Sequence, residues 1–208
     1  MRKSTLQTLG TLTDKNTMQW EAILLQDALR HVYQRVLVES LCEVRELAEK
    51  VWEKLINHAG LVELLLACCP FISTWLCLSM QPVRVPYDPT LLIIAKTQRR
   101  KNVPIDGLNN FDQSVATPKL FIGGSETTPV ATRECNAVKV RCMTARMLGL
   151  LSFYIVQPAP GVDYSQGLEV PIDSYVNILL MHLQSKSALQ RMMSGLVIAE
   201  WASYDQNR

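Results

Sequence analysis

The residues best suited to bond-making chemistry are three histidines (His31, His58, His182), six cysteines and three pairs of Lys with Ser or Thr. A phosphate-cradling loop needs glycines ahead of its Lys-[Ser/Thr] pair, so that backbone N–H groups can wrap the phosphates. Lys3-Ser4, Lys96-Thr97 and Lys186-Ser187 lack that frame. Gly123-Gly124 runs into Ser125 and Glu126 with no lysine, which reads as a turn. Zinc sites are built from C-x-x-C hooks or their equivalent. Cys68 and Cys69 are instead adjacent, and neighbouring helical residues point about 100° apart. Most of the six (these two with Cys42, Cys77, Cys135 and Cys142) sit inside apolar helical runs, as small buried hydrophobes do. No histidine has a recognisable nucleophile or orienting partner in its motif. The sequence therefore offers no catalytic, cofactor-binding or metal-binding residue, and the expectation is that this chain is not an enzyme by itself.

Positive charge is the remaining chemical feature. Lys139 and Arg146 lie seven apart, and Arg133 and Arg141 eight apart, so each pair shares a helix face. With Lys96, Arg99, Arg100 and Lys101 they are candidates for a basic surface facing an acidic partner or nucleic acid. A solvated helix face and a solvated loop are the plainer reading of the same charges. The formal net charge of +2 does not decide between them.

Arg133, Lys139, Arg141 and Arg146 sit on the stretch around which the chain is organised, Thr132 to Pro160. It is long enough for a helix of about six turns, and its second half, Met147 to Val156, is apolar nearly all round. Cys142, Ala145, Gly149 and Ser152 form one stripe of small residues that would admit a second helix closely. Gly149 in mid-helix costs about 1 kcal/mol relative to Ala, and close packing is the expected compensation. Thr128-Pro129 or Thr132 should open this helix, and Pro158-Ala159-Pro160-Gly161 should stop it.

The rest of the chain reads as helices joined by short connections. Arg2 to Leu12 looks like the tail of a helix. Thr17 can cap a helix from Met18 to Ser40 with a stripe of Leu25, Leu29, Val32 and Val36. Glu43 to Ile56 follows, with a Glu46–Lys50 pair outside and a stop at Asn57 to Gly60. Pro171 starts another helix, and Ser187-x-x-Gln190 is a capping box for the last, Ala188 to Ser203. The expected fold is all-α: antiparallel helical hairpins stacked as an α-solenoid of HEAT or armadillo type over residues 1–208 as one segment. A period near 40 residues fits, though no sequence repeat displays it. Residues 83–129, rich in Pro and Gly, form one long irregular loop, with about 96–119 expected to be disordered.

Mean hydropathy of +0.08 and 48% hydrophobic residues are high for a soluble protein, as in a piece of a longer helical stack. Leu61 to Met80 has the length of a membrane span and one charge, Glu63. Pro70 interrupts it and no basic cluster flanks it, so two short buried helices are expected and a membrane-anchored protein is the lesser alternative. The start of the chain does not read as a signal peptide, and the cysteines are expected to be reduced and the protein intracellular.

Four blocks occur together and in order: HVYQRVLVES (31–40), CCPFISTWLCLSMQP (68–82), TARMLGLLSFYIVQPAPGVDY (144–164) and SALQRMMSGLVIAEWA (187–202). With them the chain resembles the central HEAT-repeat region of the TATA-binding-protein-associated ATPase family, the SWI/SNF-like modifier-of-transcription type. The resemblance implies a nuclear protein whose repeats grip TATA-binding protein, while a C-terminal helicase-like motor uses ATP and Mg to remove that protein from DNA. It implies no cofactor in this chain, contact with DNA only through the longer protein, and no membrane. It also implies that 208 residues without the motor are a fragment, a truncated gene model or a splice product. A generic HEAT-type adaptor is the alternative with the same fold.

Overall fold

The computed structural model describes residues 2–14, 20–93, 118–157, 161, 163 and 170–206. Within them the chain is all-α apart from one small hairpin. The helices are α1 (Arg2–Asp14), α2 (Ala22–Val38), α3 (Cys42–His58), α4 (Leu61–Cys68), α5 (Ile72–Ser79), α6 (Val130–Ile155), α7 (Pro171–Leu183) and α8 (Ala188–Gln206). Strands β1 (Leu120–Phe121) and β2 (Gly124–Ser125) pair antiparallel.

The helices form two rows. Lys3 bonds Glu43 at 2.8 Å and Lys54 bonds Asp14 at 2.6 Å, and both pairs are 40 residues apart. Two contacts with the same step make α1 and α3 parallel neighbours, and Gly10 of α1 faces Val51 of α3 between them. The row continues from α3 to α6 through Arg45–Asn136, Glu49–Arg146, Trp52–Met147 and Asn57–Tyr154, which advance together along both helices. It continues from α6 to α8, where Gly149 meets Glu200 and Phe153 meets Tyr204. In the second row α2 lies beside α4 and α5. Arg30 stacks 4.5 Å above Phe71, and Tyr33 donates to the Trp75 carbonyl at 2.8 Å. α7 packs beyond α5 and against α8. Short connections between the rows, such as Glu39–Leu41, turn α2 and α3 into an antiparallel hairpin. The 40-residue step is a repeat of position, not of residue identity.

The expected stripe of Leu25, Leu29, Val32 and Val36 is buried completely or nearly so. Tyr33, Trp52 and Trp75 join the rows as three mutually contacting rings with centroids 5.3–5.6 Å apart. The Trp52 indole donates to the Met147 carbonyl at 3.0 Å. Gly149 is the closest backbone approach, as its stripe of small residues implies.

Several expectations are corrected. Of the six cysteines only Cys68 is buried, and the other five are exposed. α6 begins at Val130 with Pro129 as its N-cap residue, and no side chain caps it. The Thr128 hydroxyl instead accepts from the Ser125 amide at 3.1 Å. Gly60 is not a left-handed helix stop, since it has φ −65° and serves as the N-cap of α4. Glu46 accepts from the Cys42 thiol at 3.2 Å. The Ser187–Gln190 box closes indirectly: Ser187 Oγ accepts from the Gln190 amide, while the Gln190 side chain takes the Ser185 hydroxyl. The Thr17 cap, Met18 and residues 94–117 lie outside the described residues. α4 and α5 meet at 57° around Pro70, and no single described helix is long and apolar enough to cross a membrane.

The stretch 83–129 is structured at both its described ends. Asp88 caps a 3-10 turn at Pro89–Leu91, and its carboxylate accepts from the Thr90 amide. The Gln34 side chain pairs with the Ile93 amide at 2.7 Å and its carbonyl at 3.2 Å, docking the apolar run that starts at Leu91. At the far end Gly123, at φ +79°, makes the hairpin turn, and its amide donates to the Leu37 carbonyl at 2.7 Å. Both ends are therefore held by α2.

Candidate functional site

α6 carries the four described members of the basic candidate set, and its neighbours decide what each can do. Arg133 lies one turn into the helix, where its side chain points back toward the N-terminus. There it meets the hairpin: the guanidinium sits 3.9 Å over the Phe121 ring and is 7% exposed. Its Nε and Nη1 have no hydrogen-bond partner, so the ring face is what offsets the buried charge. Arg141 is half-buried and donates to the Gln81 carbonyl at 3.0 Å, with desolvation pulling its pKa down. Arg146 forms a two-pronged pair with Glu49 at 2.7 and 3.0 Å, and that hydrogen bonding holds its pKa up. Lys139 is exposed. Lys96, Arg99, Arg100 and Lys101 lie outside the described residues. The structure thus does not bring Arg133, Arg141 and Arg146 together as one basic surface. Each fastens α6 to a different element.

Two clusters were not legible in the sequence. In the first, Arg45 of α3 is 1% exposed and donates to the Glu39 and Ser40 carbonyls and to Asn136 Oδ1 of α6. Asn136 in turn donates to the Gly123 carbonyl at 2.9 Å. The Glu39 carboxylate accepts from the Ser40 and Leu41 amides and lies 3.6 Å from Arg35. One buried knot therefore ties α2, α3, α6 and the hairpin. In the second, Glu46, Glu49, Glu53, Lys50, Arg146 and Tyr204 line a depression of about 360 Å³ between α3, α6 and α8. Carboxylates outnumber cations there, so its field favours a cation over nucleic acid. No motif announces either cluster, because the members of each come from three helices, joined in the first by the hairpin.

The cysteines and histidines do not assemble into a reacting centre among the described residues. Burial raises the Cys68 thiol strongly, which keeps it protonated and poorly nucleophilic, and partial desolvation also raises the thiols of Cys69 and Cys77, although both reach the surface. His58 Nδ1 faces the Lys54 carbonyl of its own helix. His182 is buried. Among the described residues no group of His, Cys, Asp and Glu is placed to hold a metal ion.

The fold and its polar clusters define an all-α protein of stacked helical hairpins, held together by buried charge and aromatic contacts. The family model for a domain of unknown function, DUF3535, matches residues 51–208, and the chain belongs to that family. The chain is 36% identical over 98% of its length to TATA-binding protein-associated factor 172 of Homo sapiens. It is 23% identical over 88% of its length to TATA-binding protein-associated factor BTAF1 of Arabidopsis thaliana. The resemblance carried by the four sequence blocks is thereby borne out. The chain spans 11% and 9% of the lengths of these two relatives. No solved structure matches it.

Proposed function

We propose that this chain is a non-catalytic segment of HEAT-type repeats in a nuclear regulator of TATA-binding protein. An ATPase region outside residues 1–208 of the same polypeptide removes that protein from DNA. The observation that carries the reading is the similarity to TATA-binding protein-associated factor 172 along 98% of the chain. The 40-residue step between parallel helices supports the HEAT assignment. Residues 1–208 act as one segment with 83–129 as an insertion. ATP and Mg belong to the motor, and DNA is engaged only through the whole polypeptide. The segment works mechanically: two rows of interlocked helices fix the distance and angle between whatever is joined at each end. Contact with an acidic partner falls to Lys139 and to Lys96, Arg99, Arg100 and Lys101, since the three arginines of α6 have internal roles.

The test is immunoprecipitation of the native polypeptide from nuclear extract, followed by detection of TATA-binding protein in the precipitate. Its presence, with release from TATA-containing DNA only when ATP and Mg are supplied, is the expected result. Its absence would leave the generic helical adaptor as the better reading.

A further inference from the structure

The depression between α3, α6 and α8 is built in layers. Trp52, Met147 and Leu150 make an apolar floor, and the Tyr204 ring of α8 makes one wall. Charge sits at the rim. Glu49 and Arg146 satisfy one another there at 2.7 and 3.0 Å. Glu46 and Glu53 are exposed and make no ion pair among the described residues. Lys50 is exposed between them on the same face of α3. The field at the wall is negative. Burial raises the Tyr204 phenol, and Glu200, Glu53 and Glu49 raise it further, with Arg146 alone opposing them. An apolar floor, an aromatic wall and a carboxylate rim together match the long side chain of arginine or lysine. Its aliphatic stem lies along apolar surface, while its charged head reaches a ring face or a carboxylate.

We infer that this depression docks a basic peptide segment of a partner protein, through two cationic side chains spaced to meet Glu46 and Glu53. Spacing favours a peptide over a single ion. Glu46 and Glu53 lie seven residues apart on α3, which is two helical turns or about 10 Å along its axis. One cation cannot touch both. Positions i and i+3 of an extended peptide in polyproline II geometry share a face and lie about 9 Å apart. Volume points the same way. The depression holds about 360 Å³, the small end of the roughly 300–1,000 Å³ of ligand pockets, so it admits side chains and leaves the peptide backbone at the rim. Lys50 stands between the two carboxylates and opposes the approach, so removing its charge strengthens binding. A purely structural role for the rim would not have that effect. The inference does not depend on the TATA-binding-protein reading, since it concerns a surface of this chain whatever polypeptide carries it.

The probe is a fluorescein-labelled hexapeptide with arginines at its second and fifth positions, titrated with the 208-residue chain and followed by fluorescence anisotropy. The same peptide with citrulline at both positions keeps the shape and removes the charge. Glu46, Lys50 and Glu53 are exposed, so Glu46→Gln, Lys50→Gln and Glu53→Gln are compatible with the fold. The expected result is about tenfold tighter binding of the arginine peptide than of the citrulline peptide. Glu46→Gln and Glu53→Gln each weaken it about two- to fivefold, and Lys50→Gln tightens it by about as much. Equal binding of the two peptides, or an affinity that none of the three substitutions moves, would overturn the inference. Complete displacement of the peptide by an equal concentration of spermidine would overturn it in favour of a free polyamine.

Discussion

Gly149 of α6 lies directly against Glu200 of α8: a Cβ on Gly149 would come within 2.6 Å of the Glu200 Cβ and 2.9 Å of the Trp201 amide nitrogen. Two of the three nearest atoms belong to backbone, so the neighbour cannot turn aside. Gly149→Ala gains about 1 kcal/mol of helix propensity. It also forces α8 outward, and overpacking of this kind costs about 1–3 kcal/mol. The clash wins at a backbone-to-backbone contact. The expected outcome is a lower Tm for Gly149→Ala and a still lower one for Gly149→Leu, measured by thermal circular dichroism. A Tm that rises in the Ala variant would mean that α6 and α8 are not in contact there.

The buried knot predicts a second loss. Asn136→Ala removes the acceptor for one Arg45 amino group and the donor to the Gly123 carbonyl. Arg45 already has one unpartnered nitrogen, Nε, so its charge keeps only two carbonyls. The expected destabilisation is about 2–3 kcal/mol in urea. Faster hydrogen exchange at the Gly123 amide, now bonded to Leu37, should accompany it, because the hairpin loses its tie to α6.

Tyr175 gives the pH dependence. Burial pushes its phenol up to about 12 from an ordinary value of 10.0, with the Ser152 hydroxyl bond pulling the other way. Tyr33 and Tyr87 are raised by burial too. A raised folded-state value means that the unfolded chain loses its proton first as pH increases. The contribution of Tyr175 is therefore complete below pH 10 and is lost between pH 10 and about 12. The loss from this one residue is about 3 kcal/mol by the upper end. Urea midpoints at stepped alkaline pH check it, and Tyr175→Phe should flatten the slope.

Glu49 and Arg146 make a smaller prediction. Their side chains are 23% and 42% exposed, so solvent screens the pair. Glu49→Gln should cost about 1 kcal/mol or less, and a double-mutant cycle with Arg146→Gln should return a coupling of that size. Added salt should shrink it.

Local pattern carried the helices and their inward faces into view. Leu25, Leu29, Val32 and Val36 mark a face by spacing alone, and the small residues around Gly149 advertise a close neighbour. Spacing says which residues share a face, but not what covers that face. Arg133 and Arg146 look equally free in sequence, yet Phe121 of the hairpin covers one and Glu49 of α3 pairs with the other. The exposed cysteines are the converse case, since an apolar run says nothing of which members turn outward. The hairpin itself has two-residue strands, too short for an alternating pattern to show. The 40-residue step was hidden because Lys3–Glu43 and Asp14–Lys54 reverse the order of charge and share no residue type at matched positions.

The most direct measurement couples the segment to the motor it is proposed to serve. Fluorescence anisotropy of labelled TATA-binding protein on DNA would follow its release by the native polypeptide, with Gly149 intact or replaced by Leu. ATP hydrolysis would be measured in the same samples. If residues 1–208 are a mechanical link, the variant hydrolyses ATP but releases TATA-binding protein more slowly. Release at the unaltered rate, from a variant whose α6–α8 contact is shown by hydrogen exchange to be loosened, would contradict a scaffold role for this chain.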